Sequence, residues 1–122
     1  MLINAGDPRP IFLQIAEGIE DAILTGAYPE ESQIPSTTEI SVRYNINPAT
    51  ALKGVNILVE AGIIYKKRGV GMFVKAGAVD KLREKRKDQF YENYILKLTA
   101  EAKRLGISPQ EIILMIERGY KQ

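Results

Sequence analysis

The chain has 122 residues, 45% of them hydrophobic and 26% charged, with a net charge of +2, no cysteine and no histidine. That apolar content supports one compact core with an appendage and excludes a disordered tail. Without cysteine or histidine there is no disulfide framework, no usual zinc site and no ordinary neutral-pH general base, so neither a metal, a cofactor nor an enzyme is expected.

The opening stretch, Met1 to Pro8, lacks a basic leader, and no apolar run in the chain approaches the roughly 20 residues that span a bilayer. A soluble, cytoplasmic protein with no membrane partner is the expectation. Pro10 opens a helix in which Ile11, Ile15, Ile19, Ala22 and Ile23 recur four or three apart as one buried stripe, and Gly26 ends it. Tyr28 to Ser32 reads as a loop. Ser36 then caps a short helix running to Tyr44, with Glu39 three residues on to close a capping box. Asn47-Pro48 starts a third helix, running to Glu60 before Gly62, because asparagine is a good N-cap and proline loses nothing at the first helical position. Its inward face is Ala51, Val55, Leu58 and Val59; its outward face is Ala49, Thr50, Lys53 and Asn56, free of large apolar groups.

Ile63-Ile64-Tyr65 and Met72-Phe73-Val74 read as strands joined by Lys66-Lys67-Arg68-Gly69-Val70-Gly71, a cationic loop with two glycines. Helix, helix, helix and hairpin in this order make a winged helix-turn-helix. Beyond Ala76-Gly77-Ala78 the chain turns helical. Tyr91, Ile95, Leu98, Ala102 and Leu105 step by four and three like a helix-pairing seam. Gly106 stops that helix and Ser108-Pro109-Gln110-Glu111 starts another, carrying Ile112, Ile113, Met115, Ile116 and Tyr120. The expected fold is therefore α+β and mostly helical: an N-terminal winged helix-turn-helix over 1–76 and a two-helix dimerisation tail over 77–122. A tail of about 45 residues cannot make its own core, so it packs on the winged domain or, preferably, on a second copy of itself. Tyr91, Ile95, Leu98, Ala102, Leu105, Ile112 and Ile116 are the expected interface.

The small net charge hides an uneven distribution. Residues 1–60 carry three cations against eight acids, whereas residues 61–90 carry nine cations against three acids. A cationic stretch from Lys66 to Lys87 is either a solvated face or the complement of a polyanion.

Pro10-Ile11-Phe12-Leu13-Gln14-Ile15, Ile34-Pro35-Ser36, Asn47-Pro48-Ala49-Thr50-Ala51-Leu52-Lys53, Glu60-Ala61-Gly62-Ile63-Ile64 and Arg68-Gly69-Val70-Gly71-Met72-Phe73-Val74 resemble GntR-type transcriptional regulators in order and spacing. The Asn-Pro-x-Thr-x-x-Lys pattern and the short tail look most like the YtrA subfamily. The resemblance covers roughly residues 8–75 and implies a homodimeric regulator, usually a repressor, bound to a palindromic operator in double-stranded DNA. It places Ser36, Thr37 and Thr38 at the sugar-phosphate backbone, Asn47, Ala49, Thr50 and Lys53 at the major groove, and Gly71 of the wing near the minor groove, with Lys67 and Arg68 as the nearest charges. Arg43, Lys66 and Gly69 complete the candidate DNA-binding set. Ser36 and Asn47 are equally explained as helix caps. Thr38 stands where the family commonly has arginine, and Gly54 breaks the helix-forming run, either for close packing or as a weak spot. The tail leaves little room for an effector domain, and whether a small molecule binds is open. The alternative is a winged-helix module that docks on protein within a larger complex; such a module needs neither the wing cations nor an outer helix face without large apolar groups.

Overall fold

The computed structural model describes Ile3, Asn4 and residues 6–122. Met1, Leu2 and Ala5, which belong to the opening stretch read above for a leader, lie outside the described residues. The chain runs α1 (Ile11–Leu24), β1 (Gln33–Ile34), α2 (Thr37–Arg43), α3 (Pro48–Glu60), β2 (Ile64–Lys67), β3 (Gly71–Val74), α4 (Ala78–Phe90), a π-helical turn (Tyr91–Ile95), α5 (Leu96–Leu105) and α6 (Pro109–Tyr120). It divides into two compact units, Met1–Glu84 and Lys85–Gln122, the division falling within α4. That is later than the boundary expected at 76, because Ala78 and Leu82 of α4 are buried in the core of the first unit.

In the first unit the three helices and a three-stranded antiparallel sheet of order β1-β3-β2 enclose a core of Ile15, Ile19, Ile23, Ile40, Val55, Leu58, Ile64 and Val74. The expected α1 stripe holds at Ile15, Ile19 and Ile23, with Ile11 and Ala22 half-buried at its edge. Tyr65 and Phe73 are cross-strand partners with stacked rings 5.8 Å apart, a pairing that stiffens the hairpin. The sheet corrects two expectations. Lys66, Lys67 and Gly71 are strand residues, so the connecting turn is only Arg68 to Val70. β1 was not expected at all: Gln33 and Ile34 pair with Phe73 and Met72, and a two-residue strand is too short to show a period.

Gly54 explains itself in this packing. A Cβ built there would stand 2.7 Å from the Phe12 carbonyl oxygen and 3.0 Å from Ile15, so α1 and α3 approach as closely as they do only because position 54 has no side chain. Ahead of α1, the buried Gln14 side chain ties down the preceding segment, its Oε1 accepting from the Asn4 N–H at 2.9 Å and its Nε2 donating to the Arg9 carbonyl at 3.2 Å. Arg9 bridges Asp7 and Glu17, and its guanidinium holds the Asp7 carboxyl below the usual value.

The second unit holds the end of α4, the π-helical turn, α5 and α6. Ser108 caps α6, its Oγ accepting from the Glu111 N–H at 3.2 Å while Glu111 Oε1 accepts from the Ser108 N–H. Leu98, Ala102 and Leu105 of α5 and Ile112, Met115 and Ile116 of α6 line one groove. Among the described residues of this unit only Ala102 is buried, at 6% exposed, while Leu105 stands 66% and Tyr120 88% exposed. The π-helical turn at Tyr91–Ile95 shifts the register before α5, so Tyr91 lies outside that groove. No helix among the described residues is long and apolar enough to cross a membrane.

Replacing Gly54 by alanine should destabilise the first unit. Overpacking costs about 1–3 kcal/mol, which outweighs the roughly 0.8–1 kcal/mol that alanine gains over glycine within a helix. Denaturant unfolding of Gly54→Ala tests this, and a rise in stability would contradict the close approach. The Asp7 carboxyl, lowered in the folded state, should contribute stability that is full above its ordinary value of 3.8 and lost as pH falls through its folded value. Unfolding midpoints measured from pH 5 to 2 should therefore fall less steeply in Asp7→Asn than in the parent chain.

Candidate nucleic-acid interface

Two helix starts and one hairpin of the first unit carry the candidate residues. At α2, Ser36 is the N-cap: its Oγ accepts from the Glu39 N–H at 3.0 Å and Glu39 Oε1 accepts from the Ser36 N–H at 3.2 Å, completing the box read from sequence. Thr37 is half-buried in the first turn and Thr38 exposed beside it, its carbonyl accepting from the Ser41 hydroxyl at 2.8 Å. Arg43 ends the helix, exposed. Asn45 then takes a left-handed conformation at φ 51°, and the Ile46 N–H donates back to the Ser41 carbonyl at 3.0 Å, which sets the turn into α3.

Asn47 is the N-cap of α3, its Oδ1 accepting from the Ala49 N–H at 2.8 Å. That bond occupies only one lone pair of the oxygen and does not use the amide nitrogen, so capping and ligand contact are compatible. Ala49, Lys53 and Asn56 are exposed and Thr50 is half-buried, while Ala51, Gly54, Val55 and Leu58 face the core. Leu52 is 48% exposed, so the outer face of α3 is not free of large apolar groups as expected.

Lys53 has a partner that its spacing in the sequence did not reveal. Its Nζ stands 4.0 Å from the centroid of the Phe12 ring on α1. An exposed cation–π contact of this kind is worth about 0.5–1 kcal/mol, enough to bias the rotamer and too little to hold the lysine against a stronger acceptor.

Lys66 and Lys67 leave β2 exposed and Arg68 begins the turn. Lys67 Nζ lies 5.5 Å from the Phe73 ring centroid. Gly69 takes φ +77° and Gly71 φ +146°, backbone that side chains rarely adopt. Sequence reasoning missed the brace of this loop. Gln33 Nε2 donates to the Val70 carbonyl at 3.0 Å, crossing Gly71 so closely that a Cβ there would meet it at 2.4 Å. The two residues are 37 positions apart, and an isolated glutamine before an apolar residue carries no signal of such a bond. Three exposed cations in succession on a braced, narrow hairpin make a positive projection suited to a polyanion.

The family described as bacterial regulatory proteins, gntR family, matches residues 12–74. YhcF of Bacillus subtilis, an uncharacterised HTH-type transcriptional regulator, is 28% identical over 107 residues, 86% of this chain and 85% of its own. The transcriptional repressor NagR of the same organism is 32% identical over 61% of this chain. The chain spans about a third of the length of NagR and of the B. subtilis regulator YurK, against 30% and 31% covered. Among solved structures, a GntR-family regulator from Bacteroides thetaiotaomicron is 38% identical with a TM-score of 0.72, covering 91% of this chain and 96% of that one. YtrA from Sulfolobus acidocaldarius, a GntR-family transcription factor, is 25% identical with a TM-score of 0.59 and matches 99% of this chain and 97% of its own. The DNA-binding domain of AraR, solved with its operator ORX1, is 25% identical with a TM-score of 0.54 over 61% of this chain and 92% of that one.

Gln33→Ala should loosen the hairpin tip without unfolding the unit. Loss of one such bond costs about 0.5–1.5 kcal/mol, so exchange of the Val70 amide, which donates to the Lys67 carbonyl at 2.9 Å, should quicken by up to about tenfold. Unchanged exchange there would show that the turn stands without its brace.

Proposed function

This chain belongs to the GntR family of bacterial regulatory proteins, DNA-binding transcriptional regulators as a class, and from that premise we propose that it works as a cytoplasmic homodimer that represses transcription by holding a palindromic operator. The observation that carries this reading is the exposed Lys66-Lys67-Arg68 hairpin in the same compact unit that presents the capped helix α3.

In this reading α3 enters the major groove. Asn47, Ala49, Thr50 and Lys53 reach base edges, and Leu52 and Ala49 supply apolar contact for a thymine methyl. A bidentate base contact is worth about 1–3 kcal/mol, more than the Phe12 contact of Lys53, so the lysine transfers from ring to base on binding. Ser36, Thr37, Thr38 and Arg43 flank the backbone, where the remaining free N–H groups of α2 favour phosphate oxygens. Lys66, Lys67 and Arg68 neutralise phosphates at the wing, and Gly69 and Gly71 let the hairpin come close.

The tail supplies the second copy. Two helices with one buried residue cannot satisfy their own apolar surface, and the groove of Leu98, Ala102, Leu105, Ile112 and Ile116 is open to cover. Tyr91 and Ile95, on the π-helical turn outside that groove, join the pairing through contact with the second copy. Two-fold pairing of this face presents two recognition helices to a two-fold site. Repression follows because a dimer seated across a promoter excludes other proteins from it, and NagR, which shares the matched stretch, is named a repressor.

Selection of bound duplexes from a random pool should return a palindrome, and sedimentation should give the mass of a dimer. With Lys66, Lys67 and Arg68 each neutralising about one phosphate in each copy, affinity should fall with salt at a log–log slope on the order of −5. A slope near zero, or a single-copy species indifferent to duplex, would overturn the proposal. Lys53→Ala should cost about 1–3 kcal/mol and flatten discrimination between operators; equal weakening on every sequence would make Lys53 a phosphate contact instead.

A further inference from the structure

Glu30 lies in the loop between α1 and β1, yet its bonds are made to the start of α4. Its Oε1 accepts the Gly77 N–H at 2.8 Å and its Oε2 accepts the Val79 N–H at 3.0 Å, across 47 and 49 residues of sequence. The first N–H groups of a helix have no acceptor within it, and a side chain just before the helix usually serves. Here the preceding residues are Lys75, Ala76 and Gly77, none of which carries an acceptor, so the cap comes from a distant loop. Both carboxylate oxygens are engaged by backbone donors, and these bonds hold the Glu30 carboxyl below its ordinary value.

The next residue ties the same loop to the hairpin. Glu31 donates its N–H to the Val74 carbonyl at 2.8 Å, and its Oε2 accepts from the Tyr65 hydroxyl at 3.0 Å. Ala78 and Leu82, one turn apart on α4, are buried in the core of the first unit. Lys81 Nζ stands where a Cβ on Gly62 would meet it at 2.7 Å, beside the C-terminal end of α3. The root of α4 is thus held from below by apolar burial and at its tip by one carboxylate.

We propose that Glu30 is a positioning residue of this regulator: by gripping the amide of Gly77 just before α4 and that of Val79 in its first turn it fixes the direction in which that helix leaves the winged unit, and with it the separation of half-sites that the dimer accepts. The inference rests on the homodimer reading. Its lever is geometric. A helix of 13 residues is about 20 Å long, so a tilt of about 10° at its root moves its far end by about 3.4 Å, which is about the rise of one base pair along DNA. Without the grip α4 still packs through Ala78 and Leu82, but it can swing about them.

The test uses the full-length chain and its Glu30→Gln variant, which keeps the side chain's size while setting an amide NH2 against one of the two N–H donors. Glu30 is exposed, so the substitution leaves the core untouched. Hydrogen exchange at Gly77 and Val79, sedimentation mass, affinity for a single half-site, and affinity for a series of duplexes with the half-sites moved apart one base pair at a time are measured together. In the variant the two amides should exchange about tenfold faster, mass and half-site affinity should stay within about twofold, and the preference for the best spacing over its neighbours should fall about tenfold. An unchanged spacing profile in a variant whose amides have opened overturns the proposal, as do amides that stay protected or a matching loss on the single half-site. A parent chain that sediments as a monomer overturns the dimer reading and the spacing claim with it, and the amide-exchange arm then reports on the grip separately.

Discussion

The approach of α3 to α1 across Gly54 is the constraint on which the rest of the first unit depends. With the Phe12 carbonyl and the Ile15 side chain seated against a bare backbone, α3 is drawn down until Ala51, Val55 and Leu58 are fully buried, and its opposite face is left to solvent. The same approach brings the Phe12 ring under Lys53. A larger residue at 54 would lift the helix and disturb burial and presentation together, which is why a position that costs helix propensity is kept free of a side chain.

Around that contact the unit separates its charge. Acidic groups of the first half are drawn into structural work: Asp7 and Glu17 on Arg9, Glu39 on the α2 cap, Glu30 on the amides of α4, Glu31 on Tyr65. The cations of the wing are exposed, and Lys66, Lys67 and Arg68 have no carboxylate next to them in the sequence. Carboxylates used as hydrogen-bond acceptors at helix starts and loops do not compete with an incoming polyanion for the wing, so the small net charge of the chain understates the field at the hairpin.

The second unit shows the converse economy. Its helices are well made, with the box at Ser108 and Glu111 and an uninterrupted passage from α4 through the π-helical turn into α5, but they enclose almost nothing. Secondary structure here is local and burial is not, so α5 and α6 form without covering their own apolar stripe. The proposed second copy and the grip of Glu30 on α4 are linked in this way: a tail that pairs is useful to a DNA-binding unit only if the helix joining them leaves that unit in a defined direction.

What could be read from the sequence alone were features whose bonds close within a turn or whose period repeats: the caps at Ser36, Asn47 and Ser108, the α1 stripe, the apolar strands at Ile64 and Phe73, and the run of cations between them, though not where its turn begins. Each is written in neighbouring residues, because a capping oxygen meets an N–H two or three positions on and a helix face returns every three or four. The brace of Gln33 on Val70, the two-residue strand β1, the seat of Lys53 on Phe12, the reason for Gly54 and the reach of Glu30 to Gly77 and Val79 appeared only with the tertiary structure. In those cases the partners are tens of residues apart, and glutamine, lysine and glutamate are compatible with solvent at any surface position, so no local pattern distinguishes one with a partner from one without; folding decides by bringing a particular backbone group or ring within reach.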